Sequence, residues 1–576
     1  MKRTYIAIPV VASILIVGAV VVALWFIGSA SGERSKFSSL EIAPQNTDVF
    51  FAINTDPTSS QWLAVNGSLE QINAKDSLRK AIDDALADVN LQWDRDIVPV
   101  AGDEAFFSIP DITKVGDEKS GWVGGVLLAD AAHAKEVFDT LRNQPDAKPL
   151  KTEDYNGVTI YYSDPNATST DPNPTCPPGN GSDFCLTVIG ETSVGDNTAL
   201  AFVDNVMALG SSPDAAKSVI DVVQGKAPSA EKNDRLQEFR AQQKQDFLVW
   251  GYADLADVWT QAEDSLPTES VDGTVDTKKA FETIRKTYDR VGFSVSSNSS
   301  GFALDLSVLH SSDFNPDDAF EPSTAYEPKI AEMLPADTMF YMSAFDLYNQ
   351  SWLPAKKVLE DQTFEDGHKL DYYLQQFKDE TGLDLESDVL SLFTGEFAVA
   401  GNVSNFDADT PDVTVYGIAD VSDAGKAKSS GETLTDYLES QGTIEVTATG
   451  DVHRISSPDD STEAFAWTVR DTRLVLAFPD DKLNDITDAS QSLAQTEEWK
   501  QTMSLLPDDK TWVGFLSIER IIDEVRKVDG AEKDFADSTD GKVTLADLDA
   551  IRSVGMAGTA NEKGFGLHFV LFMKDR

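Results

Sequence analysis

A short segment that occurs twice constrains the fold of this chain more than any other sequence feature. The first copy runs from Ala43 to Ala52 and the second from Leu334 to Ser343. Each copy has a proline, then a polar turn with Asn-Thr or Asp-Thr, then a run of apolar and aromatic residues, and a tryptophan follows (Trp62, Trp352). Turn-forming residues directly before such a run predict a tight turn that leads into a buried strand.

Matches at constant spacing extend this repeat over both halves of the chain. An offset of 292 residues relates several pairs, among them Leu78/Leu370, Ile82/Leu374, Asp96/Asp388 and Glu104/Glu396. Further along the chain the offset is 263, as in Gly251/Gly514, Val291/Val554 and Gly301/Gly564. Two constant-offset runs in the same order predict two tandem homologous units. The change in offset indicates that the second unit lacks an insertion present in the first.

The hydrophobic patterns predict an α+β fold, with mainly antiparallel sheet and helices packed on one face of it. Residues 122–128 and 302–309 have the apolar runs of strands, whereas residues 131–141 and 213–223 have helical spacing. We therefore expect repeat 1 at residues 40–310, an acidic, proline-containing linker at 311–329, and repeat 2 at 330–576.

An uncharged apolar stretch near the N-terminus predicts a transmembrane signal-anchor helix, with limits at Tyr5 and Ile27. At about 1.5 Å per residue it would extend roughly 34 Å, enough for a hydrocarbon core of about 30 Å. Residues 1–4 would form a short cytoplasmic tail and residues 28–39 a juxtamembrane tether. Cleavage after Ala30 is the alternative, but the stretch is longer than the usual signal-peptide core.

The flanking charges give little orientation bias, since Lys and Arg lie on both sides of the stretch. The cysteines favour a body outside the cytoplasm. Cys176 and Cys185 are the two cysteines of the chain, and they lie in a turn-rich loop at residues 163–190. A disulfide between them would staple this loop, and disulfides persist outside the cytosol. Two free thiols are the alternative.

The charge balance predicts no nucleic-acid partner and disfavours contact with anionic lipid headgroups. The chain has 47 Lys and Arg against 97 Asp and Glu, a net charge of −50. Such a surface repels the phosphates of nucleic acids and the headgroups of anionic lipids. A solvated, non-adhesive surface is the simplest interpretation, and many weak contacts with cations are the alternative.

We find no motif for catalysis, for a cofactor or for a metal ion. The five histidines lie in unrelated segments: His133, His310, His368, His453 and His568. Glu104 and Glu396 could form an acid/base pair, but their Gly-Asp-Glu and Gly-Glu contexts favour turns. Residues 536–547 imitate a calcium loop without its first ligand, so a helix start is the preferred interpretation there.

The proline turn with its strand, the segment from Asp388 to Phe397, and Pro479-Asp480 after a strand resemble a bacterial family, domain of unknown function 3352. The resemblance spans most of residues 43–574, and it implies the same layout of one N-terminal membrane segment and a large outer region. The cysteine loop and the strong acidity are departures from the family pattern. The family has no established activity, so the resemblance implies no catalytic residues.

These observations predict a single-pass cell-membrane protein with a non-enzymatic body outside the cytoplasm. We expect it to contact the membrane through its N-terminal helix and to bind an unknown envelope protein or support the envelope. A carrier of a lipid or other apolar ligand is the alternative, motivated by the aromatic strands. An envelope hydrolase is the third and least supported hypothesis.

Overall fold

A computed structural model describes most of the chain from residue 38 onwards. The described residues are 38–71, 75–88, 90–114, 121–143, 150–163, 198–243, 246–259, 285–311, 314, 324–360, 364, 367–406, 411–458, 464–488, 491–539 and 544–574. The predicted membrane segment, Cys176, Cys185 and most of the predicted linker lie outside them. Within these ranges no helix combines the length and the apolar character needed to cross a bilayer.

Packing separates the chain into two compact units. Unit 1 comprises residues up to Gln261 together with Arg290–Ser299, and unit 2 comprises Ala262–Asp289 and Ser300–Arg576. Both units combine antiparallel sheet with packed helices, which confirms the predicted α+β class.

Unit 1 is built on an antiparallel sheet. Its strands in chain order are β1 (Val49–Asn54), β2 (Ala101–Ile109), β3 (Val123–Leu128), β4 (Leu150–Tyr155), β5 (Val158–Ser163), β6 (Ala199–Val203), β7 (Val206–Gly210), β8 (Val249–Asp254) and most of β9 (Tyr288–Asn298). Their order across the sheet is β9-β8-β1-β2-β3-β7-β6-β5-β4. The first predicted strand, β1, is therefore central.

The helices of unit 1 bury one face of this sheet and part of the other. They are α1 (Ser39–Ile42), α2 (Ser60–Gln71), α3 (Lys75–Asp88), α4 (Ala131–Arg142), α5 (Pro213–Val223) and α6 (Asp234–Arg240), with shorter helical turns at Trp93–Ile97, Val98–Val100, Ile112–Lys114 and Ala230–Lys232. Helix α5 has the predicted bounds. The Ser212 side chain accepts from the backbone N–H of Ala215, and Pro213 occupies the first turn, where its missing N–H costs least.

Unit 2 is built on a second antiparallel sheet. Its strands are β10 (Gly301–His310), β11 (Phe340–Phe345), β12 (Glu396–Ser404), β13 (Asp412–Asp420), β14 (Glu445–Thr449), β15 (Val452–Ser456), β16 (Ala464–Arg470), β17 (Arg473–Phe478), β18 (Lys510–Ser517), β19 (Ile551–Asn561) and β20 (Gly564–Met573). Their order is β10-β20-β19-β18-β11-β12-β13-β17-β16-β15-β14.

The helices of unit 2 pack against its sheet and against one another. They are α7 (Leu353–Glu360), α8 (Leu370–Thr381), α9 (Ala424–Ser440), α10 (Asp485–Asp488), α11 (Glu497–Ser504), α12 (Ile518–Val525), α13 (Ala531–Ser538) and α14 (Leu545–Leu548), with helical turns at Ile330–Glu332, Tyr348–Trp352, Leu385–Val389, Leu390–Leu392, Asp480–Asn484 and Leu493–Gln495. In the core of unit 2 the ring of Trp499 lies 5.0 Å from that of Tyr341 and 5.3 Å from that of Phe515, so α11 packs on β11 and β18.

The two proline turns have the predicted role. The Thr47 hydroxyl donates to the Pro44 carbonyl (2.8 Å), and the Thr338 hydroxyl donates to the Pro335 carbonyl (2.7 Å). Each turn leads within a few residues into a central strand, β1 or β11. The threonine thus closes the turn locally and directs the apolar run into the sheet.

Candidate binding surface

The two repeated glutamates both lie in strands, Glu104 within β2 and Glu396 directly after a bend at Gly395. Glu396 begins β12 opposite Phe345, and it is only 3% exposed. Its carboxylate accepts hydrogen bonds from the backbone N–H groups of Lys329 (2.7 Å) and Ile330 (3.0 Å) and from the Tyr341 hydroxyl (2.7 Å). Burial raises the pKa of this carboxyl, against the opposing effect of those hydrogen bonds.

Glu104 has a similar role in unit 1, with one hydrogen bond to a helix N-terminus. It lies within β2 opposite Asn54, and its carboxylate accepts from the backbone N–H of Ser39 (3.0 Å). Both glutamates therefore bind the N-terminus of the short helix that precedes the proline turn, where unpaired N–H groups favour a carboxylate. The turn prediction was wrong for Gly102-Asp103-Glu104, because these residues lie within β2. For the second copy a bend is present at Gly395, and Glu396 follows it as the first residue of β12.

Each of the five histidines contacts a carboxylate, a carbonyl or an aromatic ring of the protein. His568 Nδ1 lies 2.7 Å from Asp305 Oδ1, and its Nε2 lies 3.1 Å from Thr559 Oγ1. The other four contact a ring or a backbone carbonyl: His133 the Arg95 carbonyl, His310 the Phe314 ring, His368 the Tyr372 ring and His453 the Trp467 ring. These contacts fix the imidazoles within the packing.

The calcium-like segment contains a helix start, as preferred from its sequence. The Asp547 carboxylate accepts from both the backbone N–H (2.8 Å) and the hydroxyl (2.7 Å) of Thr544. These bonds lower the pKa of Asp547. The bond from the Thr544 N–H and the reciprocal bond from the Asp547 N–H to the Thr544 hydroxyl (3.3 Å) form a capping box at the start of α14. The residue that would close a calcium loop is thus engaged at a helix N-terminus.

The surface best suited to binding is the side of the unit 2 sheet opposite the core. Strand registers place its side chains in three rows across the strands, which we call the open face. Row A contains Leu304, Phe569, Met556, Gly514, Met342, Val399, Gly417 and Leu476. Row B contains Phe302, Leu571, Val554, Leu516, Phe340, Gly401, Val415, Phe478 and Phe465, and row C contains Leu306, Leu567, Gly558, Trp512, Ala344, Phe397, Ala419 and Leu474.

The open face is apolar throughout these rows. No side chain in them is charged, and the Trp512 Nε1–H is their only hydrogen-bonding side-chain group. Met342 and Val399 are directly opposed across β11 and β12 and are 59% and 47% exposed. Their strand neighbours Tyr341 and Ala398, which point the other way, are buried in the core. Exposed apolar side chains that adjoin one another make this face a candidate for an interaction site.

Helix α9 borders the open face at one end. Its Ala427 forms a small cluster with Leu392 and Val421, and Leu474 of row C packs against that cluster. A Cβ on Gly431 would meet the Trp467 ring at 2.7 Å, so α9 lies directly on this tryptophan of β16. Helix α9 therefore covers the sheet at Trp467, and this residue marks the end of the exposed part of row A.

A shallow depression lies at Gly417 in row A. A Cβ added there would meet only Leu476 side-chain atoms, at 3.6 and 3.9 Å, which is ordinary contact distance. Gly514 in the same row differs, because Met556 already covers it at 2.9 Å. The floor at Gly417 is thus lower than its surroundings and adjoins the exposed Val399.

Unit 1 also has an apolar row on the corresponding side of β1. The row contains Phe293, Gly251, Phe51, Phe107, Gly124, Leu209, Leu200 and Tyr161. The ring of Phe51 lies 6.0 Å from that of Phe293 and 6.5 Å from that of Phe107. No side chain of this row is as exposed as Met342 or Val399 of row A, so unit 2 has the more accessible surface.

Sequence reasoning did not locate this surface, although a signal for it was present. An antiparallel sheet with one solvated face alternates apolar and polar residues along its strands. Phe397-Ala398-Val399-Ala400-Gly401 in β12 does not alternate, and neither does Phe340-Tyr341-Met342 in β11. Apolar residues at consecutive positions of antiparallel strands indicate that both faces of the sheet are apolar.

The fold and this surface define an α+β protein with an apolar sheet face. A family model described as "Protein of unknown function (DUF3352)" matches residues 8–574, so the chain belongs to that family. This match confirms the resemblance seen in the sequence. Among curated proteins, none matches the chain.

Weak similarity to solved structures was also found. Crystal form I of TP0453 is 8% identical, with a TM-score of 0.23, and the match covers 49% of this chain and 81% of that chain. Crystal form III is 9% identical, with a TM-score of 0.24, and the match covers 51% of this chain and 90% of that chain.

Proposed function

We propose that this chain is a non-enzymatic binding protein whose open face is the binding surface. Residues 5–27 anchor it in the cell membrane, its body lies outside the cytoplasm, and a Cys176–Cys185 disulfide staples the loop of unit 1. The observation that carries the proposal is the uncharged open face with Met342 and Val399 exposed at its centre. A net charge of −50 keeps the remaining surface solvated, so binding is directed to this face.

We further propose that the two units are tandem homologous copies. The order β9-β8-β1-β2-β3-β7-β6-β5-β4 in unit 1 reads like β19-β18-β11-β12-β13-β17-β16-β15-β14 in unit 2. Isolated bridges join Pro44 to Ser229 and Pro335 to Ser492, at equivalent places. The apolar rows have glycines at the same strand positions, Gly251 with Gly514 and Gly124 with Gly417. Under this proposal the apolar row was already present in the unit before it was duplicated.

A carrier of a lipid or other apolar ligand is the second candidate function. It is favoured by one observation: the three rows offer a single hydrogen-bonding side-chain group, Trp512 Nε1–H. A hydrolase has less support, since its candidates Glu104 and Glu396 are engaged by helix N-termini in their own units.

Photo-crosslinking in intact cells tests the binding surface. A benzophenone amino acid placed at position 342 or 399 of the full chain is expected to give crosslinked products several-fold above background. Position 63 on α2 is a matched control, because Leu63 is 62% exposed but lies outside the open face. Equal crosslinking at positions 63, 342 and 399 would refute the open face as the binding surface.

A further inference from the structure

We infer that the open face binds the hydrocarbon chain of an uncharged lipid. This inference rests on the proposed function and names the chemistry of the ligand. Three properties of the open face support it: its lack of hydrogen-bonding groups, the depression at Gly417, and the charge of the chain around it.

The first property concerns hydrogen bonds. The central strands β11, β12, β13, β18 and β19 each pair with a strand on both sides, so their backbone N–H and C=O groups are already engaged. An extended peptide segment lying on this surface would bury its own N–H and C=O groups without partners, which is unfavourable. A hydrocarbon chain has no such groups, so burying it leaves no polar group unsatisfied.

The second property is shape. Row A from Met342 to Leu476 crosses four neighbouring strands, a distance of roughly 14 Å at about 4.8 Å between strands. The depression at Gly417 lies within this span, between Val399 and Leu476. Met342 has an unbranched, flexible side chain that adapts to the shape of a ligand. A narrow hydrocarbon chain therefore fits this part of row A better than a broad, rigid partner does.

The third property is charge. With a net charge of −50 the chain repels carboxylate and phosphate headgroups. The open face itself carries no cation, and the arginines of the adjoining strands point to the core side, where Arg473 pairs with Asp420 at 2.8 Å and Arg454 with Asp480 at 2.7 Å. These pairs offer an anionic headgroup little net attraction, so a lipid with an uncharged headgroup is favoured over a free fatty acid.

Photo-labelling of the full chain in phosphatidylcholine nanodiscs tests this inference. The probes are a diacylglycerol and a fatty acid that carry the same diazirine on the acyl chain. Mass spectrometry then maps the labelled peptides, and residues 5–27 serve as an internal standard, since the proposed anchor is labelled by both probes. We expect the diacylglycerol probe to label β11, β12 and β13 several-fold more than the fatty-acid probe does, relative to that standard.

Two variants make the assignment specific. Gly417→Val fills the depression with a side chain whose Cβ lies at ordinary contact distance from Leu476, and Val399→Lys places a charge on the open face; both are expected to reduce labelling several-fold. Tyr372→Lys, at an exposed position of α8, is the control and is expected to leave labelling unchanged. Circular dichroism of each variant verifies that its fold is retained.

The outcomes separate the inference from the proposed function. Equal labelling of the open face by both probes would overturn the preference for an uncharged lipid. Absence of labelling, together with a protein crosslinked at positions 342 and 399 in cells, would overturn the lipid and retain the binding surface. Absence of both would overturn the inference and the proposed function together.

Discussion

Replacing Glu396 with alanine is expected to lower the free energy of unfolding of unit 2 by about 3–5 kcal/mol. The substitution leaves the Lys329 and Ile330 N–H groups and the Tyr341 hydroxyl without their acceptor in a buried site. Each of these three donors loses a hydrogen bond that water cannot readily replace. Urea unfolding followed by tryptophan fluorescence measures the change as a lower midpoint at constant slope.

Glu104→Ala is the matched control for this prediction. Its carboxylate accepts one backbone hydrogen bond, from Ser39, and the residue is only partly buried. We therefore expect a loss of about 1 kcal/mol for unit 1. Equal losses for the two substitutions would show that the number of donors left without an acceptor does not determine the loss of stability.

Raising the pH above about 10 is expected to unfold the protein cooperatively, because tyrosine ionisation favours the unfolded chain. Tyr252, Tyr341 and Tyr416 are each 2% exposed, and burial raises the pKa of each hydroxyl. Their contribution to stability is therefore fully present below the unfolded pKa and is lost as pH rises towards the folded values. Each would remove about 1.4 kcal/mol per pH unit above 10.

Tyrosinate absorbance and circular dichroism, recorded during the same alkaline titration, measure this effect. The buried tyrosines are expected to ionise together with loss of structure, after the exposed ones. Tyr416→Phe removes one of the three groups and is expected to weaken the pH dependence, whereas Tyr372→Phe at an exposed position should not. Ionisation of all tyrosines at their ordinary pKa, before any unfolding, would contradict the prediction.

The sequence predicted the elements whose signals are local. Helix α5 has the predicted bounds because its cap, its proline and its apolar spacing all lie within Ser212–Val223. The turn at Pro335 was predicted because Thr338 closes it only three residues away. Such elements are predictable because the residues that determine them are close together in sequence, and the tertiary structure agrees with their local preference.

The partners of the buried glutamate could not be predicted in this way. Glu396 binds residues 66 and 67 positions away in sequence, and only strand pairing brings them together. The open face was missed for a different reason. Consecutive apolar residues in β12 show that both sides of the strand are apolar, but not which side the helices cover. That choice depends on the path of the whole chain.

One end strand of each sheet, β4 or β14, also has a consequence for solubility. Strand β4 is exposed along most of its length and carries Lys151, Glu153 and Asp154, and β14 is exposed at four of its five positions. Short, charged or exposed edge strands oppose the edge-to-edge pairing by which sheets of separate molecules fuse into fibrils. At β4 and β14, therefore, the sheets resist edge-to-edge association although their faces are strongly apolar.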